Sequence, residues 1–503
     1  MARKGDSTCE WTTHPRLFVP AYWWLFCLVI LSLKLLLLGV DPLPKLFMGD
    51  SGAYLHTAIT GWIPDDRSYW YGYLIRIISL PTHTLFPLLL LQCYLSGVTA
   101  IVVALCCRFL FACSLTLSFF TGFLCALDPL QLLWERYIMT ETVSLFLYVL
   151  FLYCAFRYLR FQRRYDLALL QVIGVSVIGF RMSYLLIVQV TAVLLPLLAV
   201  LPLIARMLPR RRAHRRSLYI VLRRTGVDTI LSVALMLLLH RGYMQLNGWL
   251  TDRHPAYLYA TGLHLLAFWA PLLKPSDATD PRLAAIIKEG DEYGLRDMAA
   301  RNWQRFGPTG LVHRLTDAEE NPLKANQIAQ QTAIHALLRD PLAVALLAAK
   351  TYAEFWDLHW LKQAARSDFG HDIAPADMQP LRKYFGWTGQ SKVTAAPLTF
   401  LQRYYLHLWP YYLIVVVSPA FAFLAMWLSS NWRFPALLFS HGSIMLATSC
   451  ALAPQAIVRY LQPVSLLTLL GLAIVLKTLI EKVSKASLAS TVCPATPQPG
   501  NRA

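Results

Sequence analysis

Residues 17–40 read LFVPAYWWLFCLVILSLKLLLLGV, and this stretch decides the class of protein. Lys34 is its single charged residue. A helix needs about 20 apolar residues to cross the hydrocarbon core of a bilayer, so the stretch predicts a membrane-spanning helix. It is longer than the apolar region of a signal peptide and has no small-residue cleavage site. We therefore expect an uncleaved signal anchor.

Nine further apolar stretches predict spans of the same kind, which gives about ten transmembrane helices. They lie near 84–107, 109–127, 136–156, 167–180, 182–205, 226–240, 406–429, 434–453 and 464–480. The chain of 503 residues is 56% hydrophobic and 15% charged, whereas soluble domains are about 25% charged. A soluble enzyme and a disordered chain are both excluded. The sequence predicts an all-α polytopic membrane protein.

Basic residues orient these spans. Arginines are dense after the predicted fourth span, at 157–164, and eight more lie between 206 and 224. Lys and Arg mark cytoplasmic loops, so both turns and both termini are predicted to be cytoplasmic. This orientation accounts for nearly all of the net charge of +18. No nucleic-acid partner is needed, although the arginines at 210–224 would also favour anionic membrane lipids.

Arg181 tests the orientation, because it is the single charge within 167–205. One span there would put the eight arginines outside. Two spans with a tight turn at 180–182 avoid this, and the first would be only about 21 Å long. Arg181 is then expected below the outer membrane surface, in a recess. The alternative is an arginine that snorkels to the interface.

Four units follow from this topology. Residues 1–240 form an amino-terminal transmembrane module whose first external loop is 41–83. Residues 241–405 form a mainly helical external domain, 406–483 form the last transmembrane helices, and 484–503 form a disordered tail. Within the external domain, Tyr257–Leu273 and Leu342–Trp356 are apolar enough to be interfacial or spanning helices. Helices are predicted over Arg282–Glu289, Leu295–Phe306, Ala325–Leu338 and Leu342–His359, with Asp-Pro pairs as helix starts.

Carboxylates and arginines recur in four short external segments. The acids are Asp50, Asp128, Glu135 and Glu141, and the arginines are Arg67, Arg136, Arg181 and Arg459. All are expected near one leaflet, beneath the external domain. Arginines there could hold a lipid phosphate, and a carboxylate could take a proton from a hydroxyl.

Structural explanations compete with these roles. Asp50 and Asp66 stand where helix N-caps would stand, and Asp66 is expected to be a cap. Glu141 is expected about five residues inside the fourth span, where a buried carboxylate is usually functional. It could instead hold helices together through an ion pair with Arg136 or Arg181. His56, His240, His254, His264 and His441 are the histidines to watch, each more often structural.

The sequence resembles the GT-C membrane glycosyltransferases, the group that includes protein O-mannosyltransferases and the lipid A aminoarabinose transferase. GDS at 49–51, followed by Tyr54, is similar to the acid of the first loop in that family. RS at 67–68 lies where relatives carry a basic residue for the donor phosphate. Arg136 with MTE at 139–141, and RY at 459–460 before Pro463, resemble two further elements. The family often has an acidic pair where this chain has Asp50-Ser51.

The resemblance implies an inverting glycosyltransferase of a bacterial inner membrane, with its active site facing the periplasm. The donor would be a polyprenyl-phosphate-linked sugar, and the acceptor a lipid, glycan or protein of the cell envelope. Asp50 would be the catalytic base, and Arg67, Arg181 and Arg459 would bind the donor phosphate. Glu141 would organise the site.

Other residues complete the expected site. Arg136 is a further candidate for the donor phosphate, and Tyr54, Glu135 and Tyr460 are additional site candidates. No metal or other cofactor is predicted, because the first loop has no Asp-x-Asp pair and a divalent cation at Asp50 would need a second carboxylate. HExxH, CxxC, GxSxG and P-loop motifs are absent from the sequence.

Three other classes stay open. A flippase or transporter of a lipid-linked or anionic solute would place charges near mid-membrane and show inverted repeats. An O-antigen-ligase-type enzyme would transfer whole oligosaccharides. A receptor or assembly factor would use the external domain alone.

Overall fold

A computed structural model describes residues 20–207, 215–369, 375–387 and 398–491. It is 79% helical and contains no β-strand in these ranges. The one extended pairing is an isolated parallel bridge between Lys45 and Tyr137, which ties the first external loop to the second. The predicted all-α class is confirmed for the part of the chain that the structure describes.

The chain forms 23 α-helices in the described ranges. In the amino-terminal module they are α1 (Ala21–Val40), α2 (Met48–Thr60), α3 (Trp70–Ile78), α4 (Phe86–Leu105), α5 (Leu115–Ala126), α6 (Pro129–Trp134), α7 (Glu141–Phe161), α8 (Arg164–Phe180), α9 (Leu185–Met207) and α10 (Arg215–Thr251). The rest are α11 (Thr261–Phe268), α12 (Pro281–Lys288), α13 (Arg301–Phe306), α14 (Leu311–Ala318), α15 (Pro322–Arg339), α16 (Pro341–Glu354), α17 (Leu358–Ser367), α18 (Pro375–Phe385), α19 (Phe400–His407), α20 (Trp409–Val416), α21 (Ser418–Leu428), α22 (Arg433–Ala451) and α23 (Gln462–Thr491).

Six helical segments of the described chain are long and apolar enough to cross a membrane. They are Ala21–Val40, Phe86–Leu110, Glu141–Phe161, Met182–Leu201, Arg433–Ala451 and Val458–Ser487. Two bent pairs, α15 with α16 and α20 with α21, would raise the number to eight. The molecule is therefore built as a multi-pass membrane protein, but the predicted ten spans are not confirmed.

The shortfall lies in particular predicted spans. The stretch 109–127 forms only the 12 residues of α5, about 18 Å. The stretch 167–180 lies in α8, whose 17 residues measure about 26 Å and fall short of a ~30 Å core. The stretch 226–240 is part of the 37-residue α10, and 406–429 is the pair α20–α21, bent by 52°.

The helix break predicted at 180–182 is confirmed. α8 ends at Phe180, Arg181 has extended backbone (φ −150°, ψ 109°), and a single 3-10 turn leads into α9. The two helices contact each other near this turn. A Cβ on Gly174 would lie 2.8 Å from Val188 Cγ1, so only glycine permits this separation. Arg181 therefore stands at the tip of a helical hairpin.

The loops predicted to be external meet at one end of the helix bundle. The backbone N–H of Lys45 donates to the carbonyl of Arg136 at 2.7 Å, and the Ser68 hydroxyl contacts the carbonyl of Gly179. The first loop thus touches both the second loop and the hairpin tip that carries Arg181.

The arginine-bearing turns meet at the opposite end. Arg160 donates to the carbonyl of Leu110 at 3.1 Å, and Arg164 pairs with Asp228 at 2.7 Å. This separation of the two sets of loops agrees with the predicted alternation of the chain. Residues 208–214, which carry Arg210, Arg211 and Arg212, lie outside the described residues.

Part of the external segment has a core of its own. Buried residues between Ala260 and Leu347 form this core, and they come from α11, α12, α14, α15, α16 and connecting segments. The predicted starts at Asp-Pro pairs are confirmed, because Asp280 accepts from the N–H of Arg282 and Asp340 from that of Ala343. Tyr257–Leu273 does not span: its central helix α11 packs against α15.

The described residues within 355–405 pack differently, since Phe355, Leu361 and Tyr405 belong to the core of the transmembrane bundle. The predicted unit 241–405 therefore splits between two cores. The apolar stretch Leu342–Trp356 does not form a straight span, because α16 bends by 99° away from α15. At the carboxyl end, α23 continues through Ser484 to Thr491, where a disordered tail was predicted.

Candidate active site: an acid–arginine cluster

The first external loop presents Asp50 from the opening turn of α2. Ser51, not Asp50, secures the start of this helix: its hydroxyl accepts from the N–H of Phe47 at 2.8 Å and donates to the carbonyl of Ile138 at 3.0 Å. Asp50 makes no capping hydrogen bond. Its carboxylate is therefore free for other partners.

The prediction that Asp66 caps a helix is wrong. α3 begins at Trp70, four residues later, without a side-chain cap. Both oxygens of Asp66 instead accept from the guanidinium of Arg67, at 3.0 and 2.8 Å. The carboxylate of Asp66 therefore pairs with Arg67 and not with the N–H groups at the start of a helix.

Five of the predicted residues form one chain of ion pairs, which we call the acid–arginine cluster. Asp50 binds Arg67 at 2.6 Å and Arg459 at 2.9 Å through its two oxygens. Glu141 Oε1 lies 3.3 Å from Arg459 Nε and 3.6 Å from Arg181 Nη1. Four separate segments contribute: the first loop, the start of α7, the α8–α9 hairpin tip and the turn before α23.

Exposure differs among the five side chains of the cluster. The side chain of Asp50 is 27% exposed and that of Arg67 is 21% exposed. Arg459 and Arg181 are 12% and 10% exposed, and Glu141 is 2% exposed. Asp50 is therefore the most exposed member of the cluster and Glu141 the most buried. This difference suits a reacting group at Asp50 and a supporting group at Glu141.

Glu141 is the first residue of α7 and not five residues inside it. Positive charge of the helix dipole at the N-terminus stabilises a carboxylate there, in addition to the two arginines. Arg136 does not lie on α7, because residues 135–140 precede the helix as a turn that bonds to Lys45.

Aromatic rings line the arginines of the cluster. The ring of Tyr460 lies 5.5 Å from the Arg181 guanidinium and 5.3 Å from that of Arg459. Phe47 lies 4.6 Å from Arg459, and Tyr54 lies 5.9 Å from Arg67. Cation–π contacts hold guanidinium groups in place without using their N–H donors. Tyr54 and Tyr460 are thus brought to the cluster, as predicted.

Asp50 is ionised at neutral pH. Burial acts to raise its pKa, but the positive charges of Arg459 and Arg67 outweigh burial and hold the pKa below its ordinary value. Arg67 in turn has a raised pKa, since hydrogen bonds and charge from Asp66 and Asp50 overcome its burial. The carboxylate of Asp50 can therefore accept a proton.

Glu135 and Arg136 belong to a second, sealed network. Glu135 pairs with Lys34 of α1, accepts from the Ser96 hydroxyl at 2.6 Å and lies 3.3 Å from Arg136. Arg136 Nε also donates to the carbonyl of Asp41 at 2.9 Å. Both side chains are fully buried, so the structure does not bring these two predicted residues into the cluster.

Asp128 is likewise structural. Its Oδ1 accepts from the N–H groups of Leu130 and Gln131 at the start of α6, and its Oδ2 accepts from the hydroxyl of Tyr411. Among the watched histidines, His441 bridges Tyr148 and Thr191 between helices of the bundle. These groups stabilise packing.

Asp368 and Arg305 lie near the cluster and were not predicted from the sequence. Asp368, after α17, is 2% exposed and accepts from the Tyr405 hydroxyl at 2.9 Å. Burial raises its pKa to about 7, although the nearby charge of Arg459 opposes this. No motif surrounds Asp368, so no signal in the sequence could have found it.

The second residue comes from the external domain. Arg305 of α13 donates through Nε to His264 Nδ1 at 2.5 Å. Both side chains lie close enough to Asp66 to lower its pKa further. His264 was flagged from the sequence, whereas Arg305 was one arginine among many.

The described residues contain no group of three or more His, Cys, Asp or Glu side chains placed to hold a metal ion. Comparison of the sequence with protein-family models gives no match, and comparison with curated proteins gives no significant similarity. The structure therefore describes a multi-pass helical membrane protein. Three arginines and two carboxylates lie together at one end of its helix bundle.

Proposed function

We propose that this protein is a membrane glycosyltransferase that moves a sugar from a polyprenyl-phosphate donor to an acceptor hydroxyl at the periplasmic face of a bacterial inner membrane. The observation that carries the proposal is the ion-paired chain Arg67–Asp50–Arg459–Glu141–Arg181. It combines an ionised carboxylate with three guanidinium groups at the ends of apolar helices, where a lipid-borne phosphate would arrive.

Each group has a chemical task in this reaction. The acceptor oxygen attacks the anomeric carbon, and the bond from that carbon to the phosphate oxygen breaks with inversion. The acceptor proton passes to the carboxylate of Asp50. The leaving polyprenyl phosphate gains a negative charge, which Arg67, Arg181 and Arg459 stabilise.

Charge balance supports this division. When the donor phosphate binds, Arg67 and Arg459 can exchange part of their pairing with Asp50 for phosphate oxygens. That exchange releases the most exposed carboxylate of the cluster for the acceptor hydroxyl. Glu141, 2% exposed and held at the start of α7, keeps Arg181 and Arg459 oriented throughout.

Glu135 and Arg136 have a different task in this proposal. Their buried network with Lys34 fixes the second loop against α1 and α4. The bridge from Lys45 to this loop then positions the segment that leads into α2 and Asp50. They support the site and do not contact the donor.

Transfer of a radiolabelled sugar from polyprenyl-phosphate sugars by the purified protein in nanodiscs tests the proposal. Product formation that depends on Asp50 is the expected result. Movement of the intact lipid-linked sugar across proteoliposomes without bond cleavage would instead identify a flippase. Transfer of whole oligosaccharides only would identify a ligase-type enzyme. Mass spectrometry of the lipid that copurifies would name the sugar.

A further inference from the structure

A second group of hydrogen-bond donors lies beside the acid–arginine cluster, on the external domain. It consists of His264 on α11 and Arg305 on α13, joined by the 2.5 Å hydrogen bond from Arg305 Nε to His264 Nδ1. Both side chains are partly buried. They stand next to the Asp66–Arg67 pair.

The hydrogen bond fixes the state of His264. Because Nδ1 accepts from a guanidinium that is always charged, the ring proton is on Nε2. Burial and the charge of Arg305 lower the pKa of His264 to about 4, so the imidazole is neutral at physiological pH. Its Nε2–H is therefore a donor, and it has no acceptor among the residues that the structure describes.

Arg305 forms no ion pair with any residue that the structure describes, although Asp66 lies near it. The nearest carboxylate, Asp66, already gives both oxygens to Arg67, and the described residues offer Arg305 no carboxylate within ion-pair distance. A partly desolvated guanidinium with spare donors stabilises an incoming anion. The two terminal NH2 groups of Arg305 and the Nε2–H of His264 remain for such a ligand.

The external domain also contacts the loop that carries Asp50 and Arg67. Arg253 binds Asp65 at 2.5 Å, and the N–H groups of Tyr259 and Ala260 both donate to the Asp65 carbonyl. His264 follows directly on this segment. These contacts therefore hold the two donors near Arg67.

We propose that Arg305 and His264 form an oxyanion subsite that binds a phosphate or carboxylate group of the acceptor. That the bound anion belongs to an acceptor rests on the proposed function. The existence of the anion site does not depend on it. A donor lipid would be held at Arg181 and Arg459, where the bundle ends, whereas a soluble or surface-bound acceptor would meet the external domain first. The natural acceptor is then an anionic molecule.

Binding to the purified protein in nanodiscs tests this without turnover. The probes are polyprenyl phosphate, and then inorganic phosphate titrated in the presence of saturating polyprenyl phosphate, with acetate as a carboxylate probe. Arg305→Gln should weaken phosphate or acetate binding at least tenfold and leave polyprenyl phosphate binding unchanged. Whichever of phosphate and acetate binds more tightly identifies the acceptor group. Arg382→Gln, an exposed arginine of α18, is the matched control.

The outcomes separate the two proposals. Equal phosphate and acetate binding by Arg305→Gln and the parent protein would overturn the subsite, as would a loss of polyprenyl phosphate binding in this variant. Failure of the parent protein to bind polyprenyl phosphate would count against the proposed function, while anion binding measured alone still tests Arg305. If Arg305→Gln lowers the melting temperature, Arg305→Lys preserves the charge and should retain part of the binding.

Discussion

Arg459 Nη1 lies 2.9 Å from Asp50 Oδ2, although 409 positions separate the two residues in the chain. The contact joins the first external loop to the last external turn. Both flank helices that pack within one bundle core. Any reaction that depends on Asp50 therefore depends on the correct docking of the carboxyl-terminal helices.

Asp50→Asn should reduce sugar transfer by about 10²- to 10⁴-fold, because the amide cannot accept the acceptor proton. Donor binding should be retained or tightened, since Arg67 and Arg459 lose a competing carboxylate. The pKa of Asp50 is lowered, so the parent enzyme should keep its rate on acidification until the pH falls below about 4. Initial rates across pH and a donor titration measure both effects.

The control is Asp317→Asn, which removes a carboxylate that is 67% exposed on the external domain. It should leave transfer unchanged. A folded Asp50→Asn protein with the full rate of transfer would remove Asp50 as the base.

Arg181→Gln should weaken donor binding by roughly 10- to 100-fold, the effect of losing one charged hydrogen bond to phosphate. Glu141 keeps its pairing with Arg459, so the helix ends should stay docked. Binding of polyprenyl phosphate and the donor KM are the measurements. Arg224→Gln, at the opposite end of the bundle beside Gln162, is the control. An unchanged donor KM would assign Arg181 to the membrane interface alone.

The buried network of Lys34 and Glu135 should affect stability rather than catalysis. Lys34→Met leaves Glu135 as a buried charge with weaker compensation, at a cost of about 3–5 kcal/mol. The double variant Lys34→Met/Glu135→Leu removes both charges and should recover most of this loss. Apparent melting temperatures in detergent give the comparison, and donor KM should stay constant in folded variants. A change of KM at constant stability would return Glu135 to the site.

Length and hydropathy were sufficient to place the main spans. The apolar run at 17–40 contains α1 (Ala21–Val40), and the lone Arg181 within 167–205 marked a helix break that the structure shows. Predicted spans were wrong where the apolar stretch is longer than the helix that forms in it, as with the 12 residues of α5. A hydropathy pattern shows which residues avoid water and leaves open where a helix ends.

The site could be predicted in part, because each short external loop has to return to the same face of the bundle. That constraint brought Asp50, Glu141, Arg181 and Arg459 together without any knowledge of their partners. It could not separate Glu135 from the cluster. The residue that could have separated them is Lys34. A lysine within an apolar span requires a buried counter-charge, and Glu135 provides it.

Residues of the external domain were beyond sequence reasoning, since no pattern fixes how a soluble helical unit docks on a bundle. Asp368 is the clearest case. It reaches Tyr405 and lies near Arg459 only because the described residues within 355–405 pack into the bundle core and not with the rest of their domain.

Asp368 should make the stability of the protein fall between about pH 4 and pH 7. In the unfolded chain an aspartate ionises near pH 4, whereas burial raises the folded pKa of Asp368 to about 7. Its contribution is therefore complete below about pH 4 and is lost as the pH rises through 7, by at most about 1.4 kcal/mol per pH unit.

Asp368→Asn keeps a hydrogen-bond acceptor for Tyr405 and removes the titration. Apparent melting temperatures of the two proteins from pH 4.5 to 8 should converge at low pH and diverge in favour of the variant at high pH. Parallel curves would show that Asp368 ionises normally in the folded protein.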